Sequence, residues 1–347
     1  QSFVPMWMKD FFYFMEVFMK FRRVFVLVLL SLFLVSCSAG KNEKPVEETA
    51  KESGLGAKRI GVIQIADHIA LERARKGFED EIKNTNPDVE IISKNANGDL
   101  TVVPSIIKSF QDKKVDLIYA IATPAAQGAK NGEKEIPIIF NAVTDPESAD
   151  LLENLEEPEG NITGVSDYFS IEAQLEEMIS IFPDIKNIGV MFSTNEANSK
   201  FQIEELKKAA AGFGLNVVEV GVNNINDVST AIKTIEPKID IFMAITDNTV
   251  SSASTIIAES LKAAKIPSFA SEEGPVENGI LISAGVDYVD LGKKAAGMAS
   301  EILGGKKVSE VPVVFSTDTR KVVNKKTADA LGLSEDDNLM KDAKVVE

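Results

Sequence analysis

Apolar runs alternate with amphipathic segments from Lys58 to the C-terminal region. The runs in the first half are RIGVIQI (59–65), VEIISKN (89–95), VDLIYAI (115–121), IPIIFNAV (136–143) and NITGVSD (161–167). Those in the second half are NIGVMFS (187–193), NVVEVGV (216–222), IDIFMAI (239–245), IPSFAS (266–271) and GILISAGVD (279–287). Helical patterns such as LERARKGFEDEIKN (71–84) and SKFQIEELKKAAAGFG (199–214) lie between most of them. Continuous β-branched runs separated by helices predict an α/β fold with parallel strands covered on both faces.

A weak internal repeat links the two halves of the chain. The copies are DVEIISKNANGDLTVVPSIIKSFQDKKVDLIYAIATPAAQ (88–127) and NVVEVGVNNINDVSTAIKTIEPKIDIFMAITDNTV (216–250). Aligning Asp116 with Asp240 also aligns Thr123 with Asp247. The repeat predicts two similar α/β lobes. Because ligands of open parallel sheets sit at the carboxyl ends of the strands, we expect a cleft with Thr123 on one wall and Asp247 on the other.

The segment before the first run has the pattern of a secretion signal. Basic residues precede an apolar stretch from Val24 to Val35, which is shorter than the ~20 residues that span a bilayer. The stretch ends in LVSC (34–37), which resembles the lipobox of bacterial lipoproteins and implies cleavage before Cys37 and lipidation of that residue. The alternatives are a plain membrane anchor or a chance cysteine. We expect a non-native upstream segment at 1–18, a lipoprotein signal peptide at 19–36 and a flexible tether at 37–57.

Composition narrows the kinds of site that the chain can hold. Its 347 residues suffice for about two domains. The net charge of −16 argues against a broad nucleic-acid surface, which needs a basic patch. One cysteine and one histidine rule out an intrachain disulfide and a Cys/His zinc site within one chain. The sequence has neither a GxxxxGK phosphate loop nor a marked Ser/His/Asp elbow, so we expect no enzyme activity, metal or cofactor.

Several motifs, taken in order, make the region from Ile60 to Leu333 resemble a known family. This is the family of ABC-transporter substrate-binding proteins whose members include the tryptophan/tyrosine-type binding lipoproteins. The motifs are IATPAAQ (121–127), AVTDP (142–146), ITGVSD (162–167), NEANSK (195–200), TDNTV (246–250) and DYVDLGKKAAGMASEILGG (287–305). The resemblance implies a type I periplasmic-binding-protein fold, in which two doubly wound parallel-sheet lobes are joined by a three-stranded hinge.

The resemblance also implies a division of the chain into lobes. We place the crossovers near Ser166–Tyr168, Gly285–Asp287 and Pro312–Phe315. The implied boundaries are 58–166 plus 287–312 for the N-terminal lobe, 167–286 plus 313–333 for the C-terminal lobe, and 334–347 for a tail.

Two strand-to-helix turns carry the main ligand-binding expectations. Thr123 suits a helix N-cap, and the resemblance implies that its hydroxyl and backbone N–H groups near Ala125 receive a ligand carboxylate. Asp247 also suits an N-cap, but a carboxylate opposite an anion-binding wall fits the ammonium of an α-amino acid. Asn248 is equally well placed to cap or to bind. Glu272 closes a later strand, and it either contacts the ligand ammonium together with Asp247 or faces solvent.

Other loops supply further candidates. The resemblance places Ser193, Asn198 and Ser199 beside the polar end of the ligand, although Asn198 or Ser199 can instead cap a helix. Asn141 follows the IPIIF run in a similar loop. His68 lies after the first run, where the family commonly has His followed by Pro, whereas Ile69 follows here. Its neutral imidazole can contact a ligand side chain.

The implied function is an extracytoplasmic receptor, held on the cell membrane through lipid on Cys37. It would capture an amino acid with an aromatic or large apolar side chain and deliver it, as a monomer, to an ABC permease and its ATPase. The runner-up is the same fold binding a sugar or a signalling molecule. The predicted loops contain almost no Trp or Tyr for stacking on a sugar ring, and the only tryptophan is Trp7, outside the expected fold. A regulator of the same fold would need a basic helix-turn-helix where the signal segment stands.

Overall fold

The computed structural model describes residues 58–333 and 337–347. The expectations for residues 1–57, including the lipidation of Cys37, lie outside the described residues. Within the described part of the chain, no helix combines the length and the apolar character needed to span a membrane.

The apolar runs form the strands that the pattern predicts, and further strands follow near the C-terminus. The strands are β1 (Arg59–Gln64), β2 (Glu90–Asn95), β3 (Leu117–Ile121), β4 (Ile138–Asn141), β5 (Ile162–Ser166), β6 (Asn187–Ser193), β7 (Asn216–Val222), β8 (Ile241–Ala244), β9 (Ser268–Ala270), β10 (Ile282–Val286), β11 (Val314–Phe315), β12 (Thr319–Asn324) and β13 (Lys344–Val346).

Helices separate the strands. They are α1 (Ile69–Thr85), α2 (Val103–Asp112), α3 (Thr123–Gly132), α4 (Ile171–Ile181), α5 (Ala197–Gly212), α6 (Val228–Ile235), α7 (Asn248–Ser252), α8 (Ser254–Ala264), α9 (Gly274–Glu277), α10 (Tyr288–Leu303), α11 (Lys325–Leu331) and α12 (Asp337–Met340). The helical pattern after Asp247 is therefore broken into α7 and α8 at Ala253.

The first lobe is built on a parallel sheet of six strands in the order β11-β5-β4-β3-β1-β2. Its central strands β3, β4 and β5 are buried along their whole length. Helix α1 packs with α10 on one face of the sheet, and α2 packs with α3 on the other. Both faces are thus covered, which is why these strands are continuous apolar runs rather than alternating ones.

The second lobe is built on seven strands in the order β13-β12-β10-β9-β8-β6-β7. All neighbours are parallel except β10 and β12. One apolar core lies under α4 and α5, and another under α6 and α8. Two parallel-sheet lobes of this kind confirm the predicted fold class.

The C-terminal residues differ from the expected tail. Lys344–Val346 pairs with β12 as an edge strand of the second sheet, and Leu339 is buried against the same lobe. The sequence pattern missed this strand because it is short, and an edge strand with one free side does not need a long apolar run.

The chain passes between the lobes after β5, after β10 and between β11 and β12. Val314 and Phe315 pair with β5 in the first sheet, so the third crossing comes at residues 316–318, a few residues later than expected. Tyr288 donates a hydrogen bond to Asp167 Oδ2 at 2.6 Å, which ties two of the crossings together.

The internal repeat makes the same backbone contact in each lobe. Asp116, before β3, accepts a hydrogen bond from the N–H of Arg59 at 2.9 Å. Asp240, before β8, accepts bonds from the N–H groups of Lys186 and Asn187 at 2.9 and 2.8 Å. In both lobes an aspartate therefore holds the start of the neighbouring strand, which supports the alignment drawn from the sequence.

Helices α1 and α10 approach closely because each contributes a glycine. A Cβ on Gly77 would lie 2.3 Å from the carbonyl oxygen of Val289, and a Cβ on Gly292 would lie 2.2 Å from that of Ala74. Real side chains do not pack at these distances, so any larger residue forces the helices apart.

We expect Gly292→Ala to lower the free energy of unfolding by about 1–3 kcal/mol, because the added methyl group overpacks this contact. Gly297→Ala on the same helix is the matched control, since no atom lies within 4 Å of its Cβ position. Because alanine has a higher helix propensity than glycine, we expect Gly297→Ala to leave the free energy of unfolding unchanged or to raise it by up to ~1 kcal/mol. Urea unfolding of both variants measures the difference, and equal stabilities would show that the close approach is not limiting.

Candidate functional site

The carboxyl ends of the strands in both sheets meet at a cleft between the lobes, and two cavities lie in it. The inner cavity has a volume of about 10 Å³. The outer cavity has a volume of about 520 Å³ and opens toward solvent. Asn248 lines both, so the cavities adjoin.

Both lobes contribute walls to each cavity. The inner cavity is lined by His68, Leu71, Ala142, Thr144, Asp167, Asn198, Thr246, Asp247, Asn248, Ser251, Glu272 and Tyr288. The outer cavity is lined by Ile65, Ala66, Asp67, Asn97, Gly98, Asp99, Leu100, Pro124, Ser193, Asn195, Glu196, Asn223, Asn224, Ile225, Asn248, Thr249 and Ser252.

Asp247 is buried, and its carboxylate accepts three hydrogen bonds from the protein. Its Oδ1 accepts the N–H of Val250 at 2.8 Å, which caps α7. Its Oδ2 accepts the N–H of Ser193 at 2.5 Å and the hydroxyl of Ser199 at 2.6 Å. Asp247 thus joins the end of β6, the start of α5 and the start of α7. Burial raises the pKa of the Asp247 carboxyl above its ordinary value, because the loss of hydration outweighs the opposite effect of these hydrogen bonds.

These bonds give Asp247 and its neighbours a structural role. Asp247 also lines the inner cavity, and its contact with a ligand ammonium stays a prediction. Ser199 turns its hydroxyl to Asp247 and is fully buried. Ser193 holds Asp247 through its backbone and lines the outer cavity instead.

Glu196 occupies the start of α7 from the other side. Its carboxylate accepts the N–H groups of Asn248 and Thr249 at 3.3 Å each, the Thr249 hydroxyl at 3.3 Å and the side-chain amide of Asn248. Burial, together with the nearby charge of Asp247, raises the pKa of Glu196 to about 7. Asn248 is therefore engaged with Glu196 and is not a helix cap.

Three oxygen atoms on the inner cavity are buried and accept no hydrogen bond from the described residues. They belong to Asp167 (Oδ1), Glu272 (Oε2) and Asn198 (Oδ1). The other oxygen of Asp167 accepts the Tyr288 hydroxyl at 2.6 Å, and that of Glu272 accepts the Ser251 hydroxyl at 2.5 Å. Each acid is thus held by one hydroxyl and keeps one oxygen free.

The orientation of the Asn198 amide follows from its contacts. Its Nδ2 donates to the carbonyl oxygen of Thr246 at 2.8 Å. The opposite orientation would set two acceptor oxygens against each other, so Oδ1 is the atom left without a donor.

Burial also shifts the pKa values of the two acids upward. Burial raises the pKa of Glu272 to about 8, with a further contribution from the negative charge of Asp167. Burial raises the pKa of Asp167 as well, although its hydrogen bond from Tyr288 and, more weakly, the nearby hydroxyl of Thr144, which lies beyond hydrogen-bond distance, act in the opposite direction. Two adjacent carboxyl groups whose charged forms are disfavoured indicate a site that a cation would stabilise.

His68 connects the two lobes. Its Nε2 lies 3.3 Å from Asn248 Oδ1. Because Asn248 Nδ2 donates to Glu196, Oδ1 is the acceptor and His68 carries its proton on Nε2. Burial lowers the pKa of His68 to about 4, so the ring is neutral, and its Nδ1 is buried without a partner.

The start of α3 keeps unbonded donors, although Thr123 is not the cap. Ala122 takes the cap position at φ +79° and ψ 155°, and Thr123 is the first helical residue. The Thr123 hydroxyl is buried and unpartnered among the described residues. The first N–H groups of a helix, here those of Thr123 and Ala125, have no partner within the helix. Neither residue lines either cavity, but Pro124 between them lines the outer one.

Asn141 is turned away from the cleft. Its Nδ2 donates to the Tyr119 hydroxyl at 2.6 Å, and its Oδ1 accepts the N–H of Ala142 at 2.9 Å. Of the predicted residues, the structure therefore brings His68, Asn198, Asp247, Asn248 and Glu272 together on the inner cavity.

The other seven residues that line the inner cavity were not among the predicted ligand-binding residues: Leu71, Ala142, Thr144, Asp167, Thr246, Ser251 and Tyr288. Asp167 carried the same signal as Asp247, namely an acid directly after a buried strand, but it was assigned to the hinge. Tyr288 and Ser251 lie on helices, where nothing in the pattern marks them.

The fold and cleft define a two-lobed binding protein, and comparison with known proteins gives its family. Residues 59–347 match the family described as ABC transporter substrate binding protein. The tyrosine-binding protein of Clostridioides difficile (strain R20291) is 38% identical over 322 residues, which cover 90% of this chain and 93% of that protein. The chain belongs to the ABC transporter substrate-binding protein family.

Solved structures of similar proteins agree. A Streptococcus pneumonia ABC domain in complex with L-Trp is 35% identical, with a TM-score of 0.79 and coverage of 83% of this chain and 100% of that chain. The ligand-free, open structure of CD0873, a substrate binding protein with adhesive properties from Clostridium difficile, is 39% identical. Its TM-score is 0.64, and the match covers 84% of this chain and 99% of that chain.

The two solved structures rank differently by superposition and by sequence identity. The open, ligand-free protein is the more similar in sequence, yet the L-Trp complex superposes better. The contacts across the cleft agree with a closed arrangement, since His68 reaches Asn248 and Thr144 lies 3.3 Å from Thr246 between their hydroxyl oxygens.

We expect Asp247→Asn to lower the free energy of unfolding by about 1–3 kcal/mol, because its amide would face the donors of Ser193 and Ser199 and leave them unsatisfied. Asp99→Asn is the matched control, since Asp99 is an exposed cap of a single 3₁₀ turn and asparagine caps equally well. Denaturant unfolding without ligand measures both. Equal stability of the two variants would show that Asp247 does not hold the three elements together.

Proposed function

We propose that this protein is the extracytoplasmic receptor of an ABC importer and that it captures an amino acid between its lobes. The observation that carries the proposal is the inner cavity, which two half-satisfied carboxylates line and which no lysine or arginine of the described residues lines. Such a cavity favours a cationic group. The relatives whose names mention tyrosine and L-Trp support an amino acid as the ligand.

The outer cavity suits the ligand side chain. Its volume of about 520 Å³ lies within the range of small-molecule sites. Apolar residues from both lobes line it, among them Ile65, Leu100, Pro124 and Ile225. Asparagines at positions 97, 195, 223 and 224 add polar groups that can meet a side chain with a polar tip. A large aromatic or apolar side chain therefore fits here.

The ligand carboxylate has a candidate site at the start of α3. The start of α3, with its free N–H groups and the unpartnered Thr123 hydroxyl, follows β3, and β3 pairs with β4, after which comes Ala142 of the inner cavity. Helix N-termini of this kind stabilise anions. The two charged ends of a zwitterion would then contact neighbouring strand ends of the cleft.

Binding would shift the balance between open and closed lobes. A ligand that contacts both lobes stabilises the closed form in proportion to its preference for it. Arg73 on α1 adds an ion pair across the cleft, with Glu273 at 2.6 Å and Glu277 at 2.5 Å on the second lobe. Gly274 allows this approach, since its Cβ position lies only 3.2 Å from the backbone nitrogen of Ala70.

The membrane anchor, the partner permease and the monomeric state are proposed from the family and from the sequence. Lipid on Cys37 would hold the receptor at the outer face of the membrane, and the tether would let it reach the permease. The closed lobes would present the surface that the permease and its ATPase recognise. The protein would act as a monomer, and it would carry out no covalent chemistry.

A ligand panel tests the function. Residues 41–347 are unfolded and refolded to remove bound ligand, and thermal shifts are measured with the standard amino acids and with a set of sugars. At a hundredfold its dissociation constant, the ligand should add about 2.7 kcal/mol of stability. We expect aromatic or large apolar amino acids to stabilise the protein. Stabilisation by sugars and by no amino acid would contradict the proposal.

We expect Arg73→Gln to speed ligand dissociation about tenfold, because loss of a mostly buried ion pair weakens the closed form by roughly 1.4 kcal/mol. Arg75→Gln is the matched control, since Arg75 pairs only with Glu72 and Glu79 on its own helix. Stopped-flow displacement of the ligand found in the panel measures both rates. Equal rates would show that the ion pair does not hold the lobes closed.

A further inference from the structure

The inner cavity has the size of one ammonium group. A cavity needs about 10–15 Å³ of this measure to hold one water molecule, and the inner cavity measures about 10 Å³. An –NH₃⁺ group is close to water in size, whereas an added methyl group is not accommodated. The volume therefore limits the occupant to a small polar head.

The cavity also presents a matching number of acceptors. A primary ammonium has three N–H donors, and the free oxygens of Asp167, Glu272 and Asn198 are three acceptors without another donor. The hydroxyls of Tyr288 and Ser251 hold the two carboxylates in place through their other oxygens. The acceptors are thus oriented before the ligand arrives, which reduces the entropy lost on binding.

Charge supports the same occupant. The carboxylates of Asp167 and Glu272 are buried, at 5% and 2% exposure. Arg73, whose positive charge acts on Glu272, is itself paired with Glu273 and Glu277. Asp247 also lines the inner cavity, but backbone and side-chain donors already contact both of its oxygens. Asp167 and Glu272 are therefore the acids that still need a positive partner.

We propose that Asp167, Glu272 and Asn198 form a subsite that accepts a primary ammonium and rejects N-methylated, cyclic secondary and hydroxyl-bearing analogues. This inference rests on the proposed function and assigns the specificity of its charged end. Asp247, which the sequence singled out, supports the subsite by placing β6, α5 and α7 but does not bind the ammonium. Tyr288 and Ser251 are positioning residues that act through the two carboxylates.

The subsite is tested by calorimetric titration of the refolded protein with the amino acid that binds best in the panel. Its N-methyl derivative and its α-hydroxy acid analogue are titrated in parallel. We expect each analogue to bind at least ~100-fold more weakly, because it leaves a buried acceptor unpaired or does not fit. Equal affinity for the N-methyl derivative would overturn the subsite.

The variants Glu272→Gln and Asp167→Asn are titrated with the same amino acid. We expect each to raise the dissociation constant at least ~30-fold, the lower end of what one member of a buried charge pair contributes. Glu236→Gln is the matched control. Glu236 accepts the Ser260 hydroxyl at 2.5 Å, as Glu272 accepts that of Ser251, but it lines neither cavity. It should leave the affinity within about twofold.

Thermal unfolding without ligand separates binding from folding. Because Glu272→Gln removes a buried carboxylate that lacks a cation, this variant should melt at the same temperature as the parent or higher. Weak binding by a variant of full stability would support the subsite. Unchanged affinity of both acid variants would overturn the subsite and leave the amino-acid receptor standing, whereas binding of sugars alone would overturn both.

Discussion

A group of carboxylates is buried at the cleft, and this constraint governs the arrangement of the site. The group consists of Asp167, Glu196, Asp247, Glu272 and Glu273. Carboxylates can be taken out of water only if hydrogen bonds, cations or protonation compensate for the lost hydration. The structure meets this demand by different means at different acids, and the way each acid is satisfied indicates its role.

Asp247 and Glu196 are satisfied by donors of the protein, which makes them part of the framework of the second lobe. Glu273 pairs with the guanidinium of Arg73 from the opposite lobe at 2.6 Å, and its other carboxylate oxygen lies 3.9 Å from the ammonium of Lys344 on its own lobe. Asp167 and Glu272 are satisfied only in part, by one hydroxyl each. In the proposed subsite, a ligand with a positive head would complete their compensation, and the same contacts would favour the closed form. Recognition and closure would then depend on one electrostatic balance.

The internal repeat was a sound guide to architecture and a weaker one to chemistry. Asp116 and Asp240 hold equivalent strands, as the alignment indicates. Thr123 and Asp247 occupy equivalent strand ends, yet one starts a helix behind a strained Ala122 and the other caps a helix with its own side chain. The repeat preserves the backbone because both lobes need the same parallel sheet. It does not preserve the side chains at the strand ends, which under the proposed function would contact different parts of a ligand.

The sequence by itself determined the class of fold, the two lobes and the strands after which polar residues line the cleft. Periodicity and burial impose these features along the chain, so they can be read locally. It also marked His68, Asn198, Asn248 and Glu272. Only the tertiary structure decided which acids remain free, because that depends on donors that come from distant segments. Ser193 and Ser199 occupy Asp247, while Tyr288 and Ser251 each take one oxygen of Asp167 and Glu272. Whether a carboxylate after a strand caps a helix or contacts a ligand depends on which donors folding brings next to it. Those donors come from distant segments, so the spacing of residues in the sequence does not reveal them.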